Sequence, residues 1–203
     1  MRVSPAVAAG VAAATALTVS VAGCSGRSAT PTSTSRSADV ATSTRSSAPP
    51  SVQPGGYAGL LIQASDIDAP IPFTGGSPTP DPNGQPGVAM TFSVDDSSRV
   101  IKDTILVFRD PAAATDALNA AKGGQGDVVK NPTSQPSSVG AGGTTLSGNS
   151  PDGSKGVTLL LYTEGRAFVT LEFDGPRDML APPDFVTDVG QKQAAAIKKG
   201  LGS

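Results

Sequence analysis

The amino-acid sequence predicts an α+β fold: an antiparallel sheet of about five to six strands with two main helices packed on one face. Three observations support this prediction. The patterned segments of residues 56–203 come in the order strands, helix, four strands, helix. Short turn sequences join successive strands, which favours antiparallel pairing. Each helical segment carries a single apolar stripe, as a helix packed on a sheet does.

The first part of the predicted domain combines a loop with two strands. Ser65 is placed to cap one helical turn after the apolar run 60–62. Residues 70–87 hold six Pro and four Gly, so we expect a long irregular loop there. Residues 87–94 alternate apolar and polar side chains, which is typical of a half-buried strand. The second strand is predicted over 99–108, and its second half is apolar on both faces.

The first long helix is predicted to begin after Asp110. Aspartate is a favourable N-cap residue, and Pro111 fits the first helical turn because it has no N–H to leave unpaired. Gly123 and Gly124 mark the expected end of the helix. The apolar stripe of this helix consists of Ala114, Ala117, Leu118 and Ala121.

Four strands are predicted between the two helices. Short strands are expected at 127–130 and 144–148. A hairpin tip at 151–153 leads to a strand over 156–163, and a tight turn leads on to a strand over 166–173. One face of this last strand is apolar and carries Ala167, Val169, Leu171 and Phe173, whereas Arg166, Thr170 and Glu172 face the other way.

The second long helix is predicted to begin at Pro182-Pro183-Asp184. Lys198 and Lys199 suit its C-terminal end, where the helix dipole favours positive charge. The residues of its stripe are expected to lie on the sheet. They are Val186, Val189, Gln193, Ile197 and Leu201.

The first 23 residues of the chain have the pattern of an export signal. Arg2 gives it a positive start, and no further charge follows until Arg27. The Ala-rich run between them is too weakly apolar for a spanning helix, which needs about 20 strongly apolar residues. It also ends at small residues, as a processing site does.

The end of this segment, Val21-Ala22-Gly23-Cys24, resembles a bacterial lipobox. The resemblance implies that Val21, Ala22 and Gly23 are recognised by the signal peptidase. It also implies that Cys24 becomes a lipidated N-terminus carrying at least two acyl chains, palmitate among them, which is enough for stable anchoring. The expected location is the outer face of the cell membrane. The alternative is that Cys24, the one cysteine of the chain, is a small buried hydrophobe.

Residues 24–55 are predicted to form a disordered tether that begins at the lipidated cysteine. Ser, Thr and Pro dominate this segment, and it lacks the apolar side chains needed to offset the entropy of ordering. Its composition is typical of an O-glycosylated stalk, and an unmodified linker is an equal alternative. The chain is therefore expected to hold one folded domain, residues 56–203.

The lipobox, the Ser/Thr/Pro-rich tether and the order of predicted elements together resemble small exported lipoproteins of mycobacteria and related actinobacteria. Within that group, the layout of residues 56–203 is similar to domains that are PsbP-like or like the sensor domain of a serine/threonine kinase. The resemblance implies a cell-envelope protein. Kinase sensor domains of this type carry disulfides, whereas residues 56–203 contain no cysteine.

Composition excludes several classes of function. The chain has no His, so it holds no Ser-His-Asp triad, Cys-His dyad or His-ligated metal. One cysteine gives no zinc cluster and no internal disulfide. The net charge of -2 argues against nucleic acid as a partner. We therefore predict no cofactor, no metal site and no catalytic residue.

Apolar side chains on both faces of the predicted strands point to binding. The set proposed to line a ligand groove is Leu106, Phe108, Leu160, Tyr162 and Phe168. A sheet covered on one face would leave these residues exposed, unless a second layer packs on them. The predicted function is therefore a non-enzymatic binding module for an envelope lipid or small apolar ligand. The alternatives are an accessory subunit that docks another envelope protein and, less favoured, a hydrolase that depends on carboxylates such as Glu172.

Overall fold

A computed structural model of the chain describes residues 56–202. The predicted signal peptide at 1–23 and the tether at 24–55 lie outside the described residues. The same is true of the lipobox residues Val21, Ala22, Gly23 and Cys24.

Within the described part of the chain, eight strands form one sheet in which every neighbouring pair is antiparallel. They are β1 (Thr74–Gly75), β2 (Thr79–Pro80), β3 (Gly87–Ser93), β4 (Val100–Val107), β5 (Lys130–Pro136), β6 (Ala141–Asn149), β7 (Lys155–Glu164) and β8 (Ala167–Pro176). Their order across the sheet is β1-β3-β4-β8-β7-β6-β5, and β2 also pairs with β3. The α+β class and the antiparallel sheet are confirmed, but the sheet is larger than the predicted five to six strands.

Two α-helices, α1 (Pro111–Gly123) and α2 (Pro183–Leu201), pack on opposite faces of this sheet. The prediction that both helices lie on one face is therefore wrong. The reason is visible in β7, where Val157, Leu159 and Leu161 face α1 while Leu160 and Tyr162 face α2. A strand that is apolar on both faces needs a covering layer on each side.

The larger of the two cores lies between the sheet and α2. It includes Ile101 and Ile105 of β4, the predicted apolar face of β8, and Val186, Val189 and Ile197 of α2. The N-terminal segment 57–67, which forms short 3-10 turns at Ala58–Leu60 and Ala64–Asp66, packs against the same layer. The segment and the helix therefore cover this face of the sheet together.

Gln193 fixes the N-terminal segment to α2. Its side chain is fully buried; its amide nitrogen donates a hydrogen bond to the carbonyl of Leu60 at 2.6 Å, and its oxygen accepts one from the N–H of Ile62 at 3.1 Å. Buried backbone groups need such partners, because leaving one unpaired costs about 1–3 kcal/mol. This explains why a polar residue occupies the otherwise apolar stripe of α2.

The smaller core lies between the sheet and α1. Ala114 and Leu118 of α1 contact a layer that includes Leu159, Leu161 and Phe168. The helix begins as predicted, because the Asp110 carboxylate accepts a hydrogen bond from the N–H of Ala113 at 2.8 Å. That hydrogen bond is also the main reason why the pKa of Asp110 is lowered.

Two predicted segments differ from the structure. Residues 125–127 form a 3-10 turn, and the strand that follows begins at Lys130, so most of the predicted strand at 127–130 is wrong. The expected loop at 70–87 contains the two-residue strands β1 and β2, which pair with β3. Between residues 56 and 202, neither helix combines the length and the apolar character that a membrane span requires.

Candidate functional site

The segment 177–182, which joins β8 to α2, has grooves on both sides. It lies close to the sheet because Gly156 and Gly175, which are cross-strand partners, carry no side chain. A Cβ atom at either position would come within 2.8 Å of the carbonyl oxygen of Met179. This close packing leaves the side chains of Met179 and Leu180 about half exposed. Pro182, at the end of the segment, lines the groove on each side.

The first of these, which we call the apolar groove, has a volume of about 410 Å³. Its apolar lining consists of Ala69, Pro70, Ile71, Phe73, Pro182 and Phe185. Phe185 is fixed by two aromatic contacts, since it stacks on Phe73 with ring centroids 6.4 Å apart and meets Phe173 edge-on at 5.8 Å. Ile71 is 53% exposed, the largest fraction among the large apolar side chains of the described residues. The groove is thus a preformed apolar surface that is open to solvent.

Two charged residues, Asp68 and Arg99, also line the apolar groove. The Asp68 carboxylate lies 2.7 Å from the ammonium of Lys192, which also contacts Asp188 at 2.8 Å. Arg99 forms no ion pair or side-chain hydrogen bond with any other residue of the described range 56–202. Asp68 is therefore paired within the protein, although it shares Lys192 with Asp188. Arg99 is near enough to Asp96 to help lower the pKa of that carboxyl, but its guanidinium forms no ion pair among residues 56–202 and can contact a ligand.

The second, which we call the hydroxyl groove, is larger, at about 690 Å³. It lies where β5, β6 and β7 extend past the start of α2. Of the described residues that line it, none is charged. Those with hydroxyl or amide side chains are Thr133, Gln135, Ser137, Ser138, Thr145, Ser147, Thr158 and Thr187.

Sheet register organises the floor of the hydroxyl groove. Thr133 of β5 pairs with Ser147 of β6, which pairs in turn with Thr158 of β7, so the three hydroxyls form a row across three strands. Thr158 is 2% exposed, and its hydroxyl has no hydrogen-bond partner within the described structure. Buried hydroxyl groups are normally paired, so the unpaired hydroxyl of Thr158 is an exception on the floor of this groove.

A cluster of ion pairs lies on the α1 face of the sheet. Asp174 accepts from Lys155 at 2.9 Å and contacts Lys102 at 3.3 Å, while Lys102 also pairs with Glu172. Burial acts to raise the pKa of Asp174, but the hydrogen bond from Lys155 and the charge of Lys102 outweigh it and lower that pKa. Burial raises the pKa of Glu172, against the opposing effect of Lys102. The predicted orientation of Glu172, away from the apolar face of β8, is confirmed, and Lys102 is its partner.

Asp103 of β4 lies in the opposite layer and has no partner of this kind. Alternation along β4 places it between Ile101 and Ile105 on the α2 face, and it is fully buried. Neither of its carboxylate oxygens has a hydrogen-bond partner in the described structure. Burial raises the pKa of Asp103 to about 8, so the group is mostly neutral at pH 7.

The structure does not bring the five apolar residues predicted to bind a ligand into one groove. Leu160 and Tyr162 are fully buried in the α2 core, where the Tyr162 hydroxyl donates a hydrogen bond to the carbonyl of Gly190 at 3.3 Å. Leu106, Phe108 and Phe168 lie in the α1 core. These positions are those of packed core residues on two faces. Among residues 56–202 no three acidic side chains lie close enough together to hold a metal ion.

The fold has a counterpart among solved structures. It is similar to the extracellular domain of PknH from Mycobacterium tuberculosis, with a TM-score of 0.52 and 11% sequence identity. The match covers 75% of this chain and 98% of that one. An identity this low shows a shared fold alone. At that level it agrees with the resemblance to mycobacterial exported domains. No protein-family model matches the chain, and no curated protein matches it.

Proposed function

We propose that the protein is an exported lipoprotein, anchored to the outer face of the cell membrane through Cys24, whose domain binds an envelope amphiphile without catalysing a reaction. The ligand has an acyl chain and an anionic headgroup. Support for export and anchoring comes from the lipobox at residues 21–24 and from the fold shared with an extracellular domain. Support for the ligand comes from the apolar groove.

The observation that carries the proposal is the apolar lining of the groove, where Ile71 is about half exposed and Phe185 partly exposed, beside Arg99, which has no ion-pair partner among the described residues. Removing apolar surface from water stabilises a complex by roughly 25 cal/mol per Å². A bound acyl chain would cover Ile71 and the exposed part of the Phe185 ring. Because Asp68 is already paired with Lys192, and Arg99 forms no ion pair with Asp96 or with any other described carboxylate, the guanidinium of Arg99 favours an anionic headgroup over a neutral or cationic one.

A second candidate function is the docking of another envelope protein. The half-exposed Met179 and Leu180 favour it, because exposed large apolar side chains that lie together are common in interfaces. In that case Met179→Ser with Leu180→Ser would weaken capture of a protein partner and leave the binding of amphiphiles unchanged.

The amphiphile proposal is tested with a fluorescent fatty acid, 11-(dansylamino)undecanoic acid, titrated into residues 24–203 carrying Cys24→Ser. We expect saturable binding that Ile71→Ser weakens about fivefold, because about 1 kcal/mol of apolar burial is lost. Arg99→Gln should weaken binding of the acid but not of the corresponding dansylated alcohol, which carries no charge. Leu180→Ser is the matched control, since its side chain is similarly exposed but lines the hydroxyl groove.

The proposed ligand class is wrong if the probe does not bind, or if Leu180→Ser and Ile71→Ser weaken binding equally. It is also wrong if Arg99→Gln affects the acid and the alcohol to the same extent, because the charge then plays no part in recognition.

The anchor is tested separately. Cys24→Ser removes the thiol that takes the lipid, so we expect the protein to leave the membrane fraction or to keep its signal peptide. Fractionation with immunoblotting and the mass of the N-terminal peptide measure this. Ser25→Ala is the control and should stay anchored. A Cys24→Ser protein that is processed and still bound to the membrane would contradict the lipobox interpretation.

A further inference from the structure

We propose that the hydroxyl groove is a second binding site, specific for an uncharged oligosaccharide. The proposal does not rest on the apolar groove, since the two grooves are lined by different residues apart from Pro182. The hydroxyl groove has a volume of about 690 Å³, which lies within the range of small-molecule sites, roughly 300–1,000 Å³.

The lining of the groove selects an uncharged ligand. None of its described lining residues is charged. An anion or cation would lose its hydration on entering and gain no opposite charge in return. Each Ser or Thr hydroxyl can donate one hydrogen bond and accept two. The ligand that matches these groups therefore carries many hydroxyls and no charge.

The arrangement of the groups fits a chain of sugar units rather than an isolated polyol. The row Thr133, Ser147 and Thr158 crosses three adjacent strands, which places a hydroxyl group about every 5 Å along the floor. Leu180, Pro182 and Val186 line the opposite side with apolar surface. A sugar ring has C–H groups on its faces and hydroxyls at its edges, so it can contact both sides at once.

Thr158 is the residue that distinguishes this surface from an ordinary polar strand face. Polar side chains on a solvent-facing sheet are hydrated, whereas Thr158 is 2% exposed and its hydroxyl has no partner. An unpaired buried hydroxyl destabilises a protein that does not use it. Thr158→Val removes that hydroxyl while preserving the branched shape of the side chain. It should therefore leave the melting temperature unchanged or raise it.

The test combines glycan-array binding and calorimetric titration with the melting temperature, on residues 24–203 carrying Cys24→Ser. The array holds neutral, phosphorylated and sulfated oligosaccharides of two to four sugars as probes. We expect binding to neutral members only. Thr158→Val should weaken the best neutral probe about tenfold through a lost hydrogen bond, and Ser147→Ala should also weaken it. Thr170→Val is the matched control, because it removes a hydroxyl from the opposite face of the sheet.

Comparing sugar affinity with melting temperature distinguishes an effect on binding from an effect on folding. A loss of sugar affinity by Thr158→Val without a lower melting temperature supports the proposal, and retained sugar binding by Ile71→Ser shows that the apolar groove is separate. The proposal is overturned if no neutral oligosaccharide binds or if charged members bind better. Equal affinity of Thr158→Val and the unaltered protein would also overturn it.

Discussion

A helix covers each face of the sheet, yet the carboxylate groups on the two faces have different surroundings. On the α1 face, Asp174 is held by Lys102 and Lys155. On the α2 face, Asp103 is buried among apolar side chains without a hydrogen-bond partner. Of these two aspartates, Asp174 therefore has its pKa lowered, whereas the pKa of Asp103 is raised to about 8.

This difference follows from how much of each face is covered. Helix α2 and the N-terminal segment exclude water from the middle of their face, so Asp103 has neither a solvent contact nor a hydrogen-bond partner there. At the margin of that cover, the sheet and the start of α2 leave the two grooves. Helix α1 is shorter, and β4, β7 and β8 carry ion pairs on this face in which the lysines, Lys102 and Lys155, are about half exposed. Both candidate binding grooves thus lie at the edge of the layer that α2 and the N-terminal segment form.

The largest expected effect is on Asp103. Because its pKa is raised in the folded state, its stabilising contribution is complete below about pH 4 and is lost as the pH rises through about 8. Relative to Asp103→Asn, the unaltered protein should lose about 5 kcal/mol of unfolding free energy between pH 4 and pH 8. Urea unfolding at several pH values measures the difference. A difference that does not change with pH would show that Asp103 is not buried in this way.

Asp174→Asn is the comparator from the other face and should show the opposite sign. The pKa of Asp174 is lowered in the folded state, so its contribution is present above the ordinary aspartate pKa and is lost as the pH falls. The advantage of the unaltered protein over Asp174→Asn should therefore shrink on acidification. If both variants change in the same direction with pH, the contrast between the two faces is wrong.

A smaller effect is expected where the N-terminal segment joins α2. Gln193→Leu keeps the size of the side chain but leaves the N–H of Ile62 and the carbonyl of Leu60 buried without partners. We expect a loss of about 3 kcal/mol of unfolding free energy, measured by urea denaturation. Gln85→Leu, at an exposed glutamine, should have little effect. An unchanged stability for Gln193→Leu would mean that the segment is not held by this residue.

The smallest effect compares the two helices through one glycine in each. A Cβ at Gly190 of α2 would lie 2.5 Å from Leu160 Cδ2 and 3.2 Å from Val139, so Gly190→Ala should destabilise by about 1–2 kcal/mol. Gly123 at the end of α1 has open space around it, and Gly123→Ala should stabilise by about 0.5 kcal/mol. Thermal unfolding measures both. The same sign for the two variants would contradict the closer packing of α2 on the sheet.

Local sequence signals predicted much of the fold. Asp110-Pro111 and the glycines after Lys122 placed α1 within one residue of its observed ends. Alternating apolar residues placed β3, β4 and β8. β5 was missed because Lys130–Pro136 is exposed along its whole length and has no apolar alternation. The side on which α1 packs is set by contacts between distant segments, and the local signals for it were the apolar residues on both faces of β7 and of the second half of β4.

The candidate sites were less predictable. The sequence identified strands with apolar residues on both faces, but interpreted Leu160 and Phe168 as groove residues rather than as two cores. The apolar groove combines Ile71, Arg99 and Phe185 from distant parts of the chain, and no local sequence pattern predicts that these residues lie together. Asp103 did leave a sign, because it interrupts the apolar face that Ile101 and Ile105 define.

The central claim is that the domain carries an amphiphile in the apolar groove, and native mass spectrometry tests it most directly. The sample is the exported protein with Cys24→Ser, purified from a mycobacterial host beside the same protein carrying Ile71→Ser and Arg99→Gln. The account predicts a co-purified mass with the fragmentation of an anionic acyl compound, released on denaturation and depleted in the double variant. An apo mass in both preparations, or equal amounts of the same ligand in both, would contradict it.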